Sequence, residues 1–303
     1  MFSRIKETVS DFIDDDCPAM AAALAYYTIF SLPPLLLIIV SITGAFFGTE
    51  TVANAVQQQV GDMVGKGAAT EVKTMLRGAQ QQAGGAGAQA IVGIVVLLLG
   101  ATTAFAQLQS ALNKVWKVKT DPRMSTSRTI RQFLSKRLLS FGLILVIGFL
   151  LLVSLVLSAA LSAAGAWLES GIAGAISAPV LQVINFALSL GIIASLFALM
   201  FKYMPDAHIA WRDVAGGAIL TASLFTAGKF VLGYYFGATD TTQTFGGAAS
   251  TMLILLWVYY SSMILLFGAE FTHIYALRKG RLPAPEPGAV HDREAWSGHE
   301  AAT

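Results

Sequence analysis

The sequence predicts an all-α fold: a polytopic bundle of six transmembrane helices, both termini cytoplasmic, with short amphipathic helices at the membrane surfaces. Three observations carry this expectation. Of 303 residues, 55% are apolar and only 13% charged, about half the charge fraction of a soluble domain. The few charges fall between long apolar stretches rather than within them, the pattern of a chain whose solvent is partly lipid. The basic residues, finally, gather in segments that would lie on one side of the bilayer.

Taken in order, residues 1–17 place Phe2, Ile5, Val9, Phe12 and Ile13 at helical spacing, with Arg4, Lys6, Glu7 and Asp11 between them. This is the signature of an amphipathic helix lying on the inner membrane surface. No cleavable leader is read here, because the apolar run that follows is longer than a signal h-region. Asp14, Asp15 and Asp16 then precede Pro18. Proline suits a first helical turn, where its missing N–H would be unpaired anyway, and acidic residues suit the positive end of the helix dipole.

Span 1 covers about 18–47 and contains Pro33 and Pro34. Two missing donors predict a kink or break, with the freed carbonyls seeking partners inside the bundle. Residues 49–88 are too polar to span. Val52, Val56, Val60 and Met63 form one apolar stripe, and Val72, Met75, Leu76 and Ala79 another, which predicts two short amphipathic helices on the outer surface. Spans 2 to 6 cover about 90–112, 138–167, 178–201, 214–237 and 248–272. Each supplies the ~20 apolar residues that a bilayer core requires, with allowance for tilt. The organisation is therefore a cytoplasmic helix at 1–17, a six-span unit at 18–277 and a tail at 278–303. From Pro283 on, that tail is rich in Pro, Gly, Ala and charge, and disorder is expected.

Sixteen of the twenty basic residues fall on one side of this scheme, eight of them between Lys114 and Arg137. Only Lys66, Lys73 and Arg77 fall on the other side, and Lys229 lies inside span 5. The positive-inside rule then places both termini in the cytoplasm.

Lys229 is the clearest anomaly, since a lysine deep in a span costs about 2.5–3.5 kcal/mol on insertion scales. Along its face lie Ala218, Ala222, Thr226, Gly233 and Gly237, a small-residue stripe that suits close helix packing and turns the ammonium into the bundle. One reading makes it a pathway residue; the other, a lysine that snorkels or bonds carbonyls to hold helices together. Glu270 sits near the inner end of span 6, whereas Lys229 is about 22 Å along span 5 from its inner end. The cations at matching depth are Lys202 and Arg212, and a structural ion pair with one of them is expected. Tyr26, Tyr27, Trp257, Tyr259 and Tyr260 lie deeper than an interfacial aromatic belt. Their phenol and indole groups need partners if buried, so a polar seam or water-filled cavity is one expectation and ordinary core packing the other.

Enzymatic chemistry is not invited. Cys17 is the single cysteine, and His208, His273, His291 and His299 occur singly, without metal-ligand spacing. There is no phosphate-binding loop, nucleophile elbow or zinc signature. No catalytic residue, metal or cofactor is therefore expected. The basic stretch 114–137 lacks the stacking aromatics of a nucleic-acid groove, so its expected partner is the anionic headgroup layer of the inner leaflet rather than nucleic acid. The lipid bilayer is the main partner, and the oligomeric state is left open.

Several segments in order resemble the YihY/BrkB family of bacterial inner-membrane proteins. They are Ala22-Ala23-Leu24-Ala25-Tyr26-Tyr27, Ser31-Leu32-Pro33-Pro34, Ala111-Leu112-Asn113-Lys114-Val115-Trp116, and Pro205 with Trp211-Arg212-Asp213. Ala227-Gly228-Lys229, Phe245-Gly246-Gly247-Ala248, Leu256-Trp257-Val258-Tyr259 and Leu266-Phe267-Gly268-Ala269-Glu270 follow. Gly247 is a mild departure, where a tyrosine-glycine pair often precedes the alanine. The resemblance implies six spans in the inner membrane. It also implies links to virulence or envelope integrity, and an older ribonuclease label generally regarded as mistaken. Lys229 and Glu270 match family positions, with no established catalytic role attached to either.

Three functions are then weighed. The first is a translocator or channel-like protein for a lipid, envelope precursor or small, anionic solute, with Lys229 in its interior. The second is an envelope scaffold that docks partners on 49–88. The third, a membrane ribonuclease, would need a metal or base cluster near 114–137, and none is visible.

Overall fold

A computed structural model describes residues 2–64, 66–83, 103–121, 174–238 and 249–292. Nearly all of these are helical. α1 is Phe2–Asp14, α2 Cys17–Phe47, α3 Thr49–Val64 and α4 Lys66–Ala83. Residues 103–115 form α5, followed by the short strand β1, Val118–Thr120. α6 is Gly174–Tyr203, β2 Ala207–His208, α7 Trp211–Ala238 and α8 Ala249–Arg278, and the strands β3, Ala284–Pro285, and β4, Ala289–His291, close the order. Span 3, most of span 2, and residues 239–248 and 293–303 lie outside the described residues.

Among the described residues, three helical stretches are long and apolar enough to cross a membrane: Val183–Tyr203, Trp211–Leu232 and Thr251–Arg278. A shorter apolar stretch, Cys17–Pro33, leads α2. α8 is the centre of the bundle, packing on α2, α7, α1 and α4, while α6 packs along α7. At the crossing of α7 and α8 two threonines turn inward. Thr221 bonds the Gly217 carbonyl and Thr272 the Gly268 carbonyl, each at 2.7 Å. A Cβ on Gly217 would lie 1.7 Å from Thr272 Oγ1, so the backbones approach closely only because glycine is there.

Two apolar cores result. One, at the Glu270 end, gathers Cys17, Leu112, Trp116, Phe201, Val214 and Leu266. The other, at the far end, joins Leu36, Val40, Val52, Val72, Leu76 and Trp257. The second explains the polar stretch after span 1: α3 and α4 are the two expected amphipathic helices, and Val52, Val72 and Leu76 dock them on α2 and α8.

Two expectations need correction. α2 runs unbroken through Pro33 and Pro34. It is clamped on both sides of the pair, by Ala21 and Leu24 before and by Leu36 and Val40 after. That packing outweighs two missing hydrogen bonds, each worth about 1 kcal/mol net. The tail is likewise ordered as far as Asp292. β4 pairs antiparallel with β1, Lys119 opposite Val290, and β3 pairs with β2, Ala207 opposite Pro285. Disorder was expected from composition, but the edges of β1 and β2 supply partners that composition does not display.

α1 is amphipathic as expected, though only part of its apolar stripe touches protein. Phe12 packs edge-on against Phe267 with ring centroids 5.8 Å apart. Ile5, Val9 and Ile13 are exposed.

Candidate functional site: an apolar cavity above a buried charge knot

A cavity of about 410 Å³ lies between α2, α5, α6, α7 and α8. Leu24, Phe105, Leu108, Phe197, Phe225 and Trp257 form its walls, with three hydroxyl residues among them, Thr28, Ser261 and Ser262. The aromatic side is rigid: Phe225 contacts Phe197 at 5.8 Å and Trp257 at 5.6 Å, both edge-on. Its size is within the ~300–1,000 Å³ of small-molecule sites, and walls this apolar favour an apolar occupant over water. Ser261 Oγ is buried and has no hydrogen-bond partner among the described residues. Helical rise puts Leu24 about 10 Å from Cys17, and Ser261 about 14 Å from Glu270. The cavity thus stands above the Glu270 end of the bundle.

That end is closed by charge. Glu270 is 0% exposed, and Cys17 donates its thiol to Glu270 Oε1 at 3.7 Å. Lys117 and Asp15, both buried, form an ion pair that engages both Asp15 oxygens. Asp11, Asp15 and Lys117 are the charged groups that act on Glu270, and His273 Nδ1 lies 4.0 Å from Glu270 Oε2. Trp116 covers the knot, its ring 5.2 Å from that of His273. The chain bends sharply to build it, with Asp16 at φ 55° and Lys117 at φ 51°. A left-handed lysine costs about 1–2 kcal/mol, strain of the kind that concentrates at functional sites.

A second polar joint lies beside the knot. Asp206 accepts from Gln109 Nε2 at 2.8 Å and Asn113 Nδ2 at 3.0 Å, and its own N–H donates to Asn113 Oδ1 at 2.8 Å. Asp206 thereby ties α5 to the α6–α7 connection, and its carbonyl accepts the N–H of Glu286 from the tail. Arg281 pairs with buried Asp213 at 2.7 Å.

The residues singled out from sequence separate into groups. Glu270 occupies a charged cluster with Asp15 and Lys117, and among the described residues no ion pair joins it to Lys202 or Arg212. Lys202 bonds the Ile209 carbonyl, and Arg212 is exposed. Depth pointed to Lys202 and Arg212; that Lys117 turns inward here is a property of the fold. Trp257 is buried and lines the cavity. Tyr259 packs at the edge of the Glu270-end core. Tyr260 lies across Gly228, where a Cβ would meet its hydroxyl at 1.7 Å, and its O–H reaches the Leu224 carbonyl at 3.4 Å. Tyr26 and Tyr27 do not contribute to a buried polar seam. They are exposed, Tyr26 by 58%, meeting edge-on at 5.5 Å while Tyr26 also meets Phe30 edge-on at 5.0 Å. The inward positions of α2 are Ala21, Leu24 and Ala25, which leaves 26, 27 and 30 on the opposite side.

Lys229 is half-buried on α7 and is not among the residues that line the cavity. Its neighbour Thr226 bonds the Ala222 carbonyl at 2.8 Å. Sequence reasoning missed Lys117, Asp15 and Asp206. A signal was present in the Asp14–Asp16 triplet, read only as a helix-dipole feature, and in Lys117, counted only for topology.

Comparison with known proteins gives one family. A model described as virulence factor BrkB matches residues 8–292. A UPF0761 membrane protein of Rhodospirillum centenum is 29% identical over 272 residues, covering 88% of this chain and 56% of its own. One from Methylibium petroleiphilum is 30% identical over 262 residues, covering 85% and 58%. One from Pseudomonas aeruginosa is 27% identical over 263 residues, covering 85% and 59%. The chain thus spans under three fifths of the length of these curated relatives. No solved structure matches it.

Proposed function

The chain belongs to the virulence factor BrkB family of membrane proteins, and from that premise we propose that it is a six-span inner-membrane translocator of a lipid-like molecule. The observation that carries this is the 410 Å³ cavity with apolar and aromatic walls, set among helices apolar enough to cross a membrane. Such walls accommodate an acyl or similar chain and offer little to a free anion. Lys229 stands outside them, so the reading favours lipid or an envelope precursor over a small anionic solute. Chemistry on the cargo is not part of the proposal.

Orientation with both termini cytoplasmic is proposed with it. Its support is the collection of Lys114, Lys119, Arg278, Lys279 and Arg281 at the Glu270 end, which the positive-inside rule assigns to the cytoplasm. The exposed Ile5, Val9 and Ile13 of α1 would then rest in the inner leaflet.

The test is lipid binding and flux by the purified full chain, compared with Lys229→Ala. Co-purified or added phospholipid retained by both proteins, with transbilayer movement above that of empty vesicles, supports a lipid cargo that does not need Lys229. Loss of flux in Lys229→Ala with lipid still bound would return Lys229 to the pathway. No flux by the wild type would remove the translocator.

A further inference from the structure

Hydroxyl side chains on a helix can satisfy themselves on their own backbone. Thr221, Ser223 and Thr226 on α7, Thr272 on α8 and Ser195 on α6 each donate to the carbonyl four residues earlier, at 2.7–2.8 Å. The three hydroxyls of the cavity wall do not. Thr28, Ser261 and Ser262 line the cavity, and among the described residues none of their side chains has a hydrogen-bond partner. Ser262 is only 8% exposed.

The three also share a level. Cys17 meets Glu270 at 3.7 Å, which fixes α2 against α8. From that contact, helical rise carries Thr28 about 16 Å along α2, and Ser261 and Ser262 about 12–14 Å along α8. Both serines are near the middle of the apolar stretch Thr251–Arg278. Among the described residues, no charged side chain lines the cavity.

Three donors at one level of an apolar wall specify an uncharged acceptor. A hydroxyl buried without a partner is unfavourable, so a ligand that brings an acceptor to this level is favoured. An acyl chain suits the hydrocarbon walls. The acceptor joined directly to such a chain is its carbonyl, with two lone pairs and no donor of its own. A charged headgroup has no counter-charge in this wall and stays outside it.

Building on the lipid reading of this cavity, we propose that Thr28, Ser261 and Ser262 form a hydrogen-bonding site for the acyl carbonyl of a lipid whose chain lies against Phe105, Leu108, Phe197 and Phe225. The hydroxyls donate, the carbonyl accepts, and no covalent bond changes. Recognition is of the ester linkage and not of the headgroup.

Retention of two lipids by the purified full chain tests this: diester phosphatidylcholine and its diether counterpart, which has the same headgroup and chains but no carbonyl. Bound lipid is counted by mass spectrometry after delipidation and equal loading. Wild type is expected to hold the diester about three- to tenfold more tightly, the worth of roughly one net hydrogen bond. Ser261→Ala/Ser262→Ala should hold both lipids equally, with diether binding as in wild type, which a collapsed cavity would not preserve. Leu108→Trp, which occupies part of the cavity, should abolish the preference as well. Equal retention of the two lipids by wild type would overturn the proposal while leaving a lipid cargo in place; retention of neither would remove both. A preference that survives in Ser261→Ala/Ser262→Ala or in Leu108→Trp would put its source outside this site and overturn the proposal too. Should the double variant not fold, Thr28→Val, expected to narrow the ratio, decides in its place.

Discussion

Gly268 faces Thr221 with no space for a side chain: a Cβ on Gly268 would lie 1.7 Å from Thr221 Oγ1. Gly217 stands in the same relation to Thr272, so α7 and α8 interlock through two glycine–threonine contacts. Gly268→Ala is expected to force the helices apart and to cost about 1–3 kcal/mol, the usual range for overpacking. Thermal unfolding in detergent should show a lowered midpoint. Adding Thr221→Ala should recover part of the loss, because the two sites are in contact and their effects do not add.

Lys117 is the buried ammonium of the charge knot, 6% exposed. Lys117→Met keeps the length of the stem and leaves the acidic groups unbalanced. Breaking a buried pair in this way costs about 3–5 kcal/mol, so a large fall in unfolding midpoint is expected. Asp15→Asn in the same chain removes the stranded charge and should restore much of the stability. An unchanged midpoint in Lys117→Met would show that the knot is solvated.

The tail contributes strands to both small sheets, Val118 opposite His291 and His208 opposite Ala284. Deleting 282–303 should uncover β1, β2 and the neighbouring knot. The readout is Cys17, the chain's only cysteine, which is fully buried. Its reaction with a maleimide is expected to accelerate at least several-fold in the truncated chain. Deleting only 293–303 should leave the rate near that of the full chain.

Topology is open to a direct check. In a Cys17→Ser background, single cysteines at Glu50 on α3 and at Lys279 after α8, both exposed, should report opposite sides of the membrane. Intact cells should permit an impermeant reagent to label position 50 only, and permeabilised cells should label both. Labelling of both in intact cells would contradict the assigned orientation.

Much of this architecture was legible because it rests on local periodicity. α1, α3, α4 and the placement of Pro18 in the first turn of α2 follow from spacing and from what proline lacks. What was not legible depends on rotation about a helix axis or on distant partners. Tyr26 and Leu24 are two positions apart, yet one is exposed and the other buried. In a span apolar all round, the sequence displays no preferred face. Glu270 had Lys202 and Arg212 at its depth, and finding Lys117 in its cluster instead requires knowing the left-handed bend at residue 117. The Pro33–Pro34 pair reads as a break locally, whereas packing before and after it keeps α2 whole.

The central claim is that the apolar cavity is where cargo passes, and filling it tests this most directly. Leu108, half-buried on α5, lines the cavity, and Leu108→Trp would occupy part of its 410 Å³. Transbilayer movement of a labelled phospholipid is measured in liposomes containing wild type, Leu108→Trp or Phe230→Trp, the last at an exposed site on α7. Wild type and Phe230→Trp should move lipid at similar rates above empty liposomes, and Leu108→Trp should be slower by about tenfold, roughly 1.4 kcal/mol in the barrier. Equal rates for wild type and a correctly folded Leu108→Trp would contradict the assignment of the cavity as the pathway.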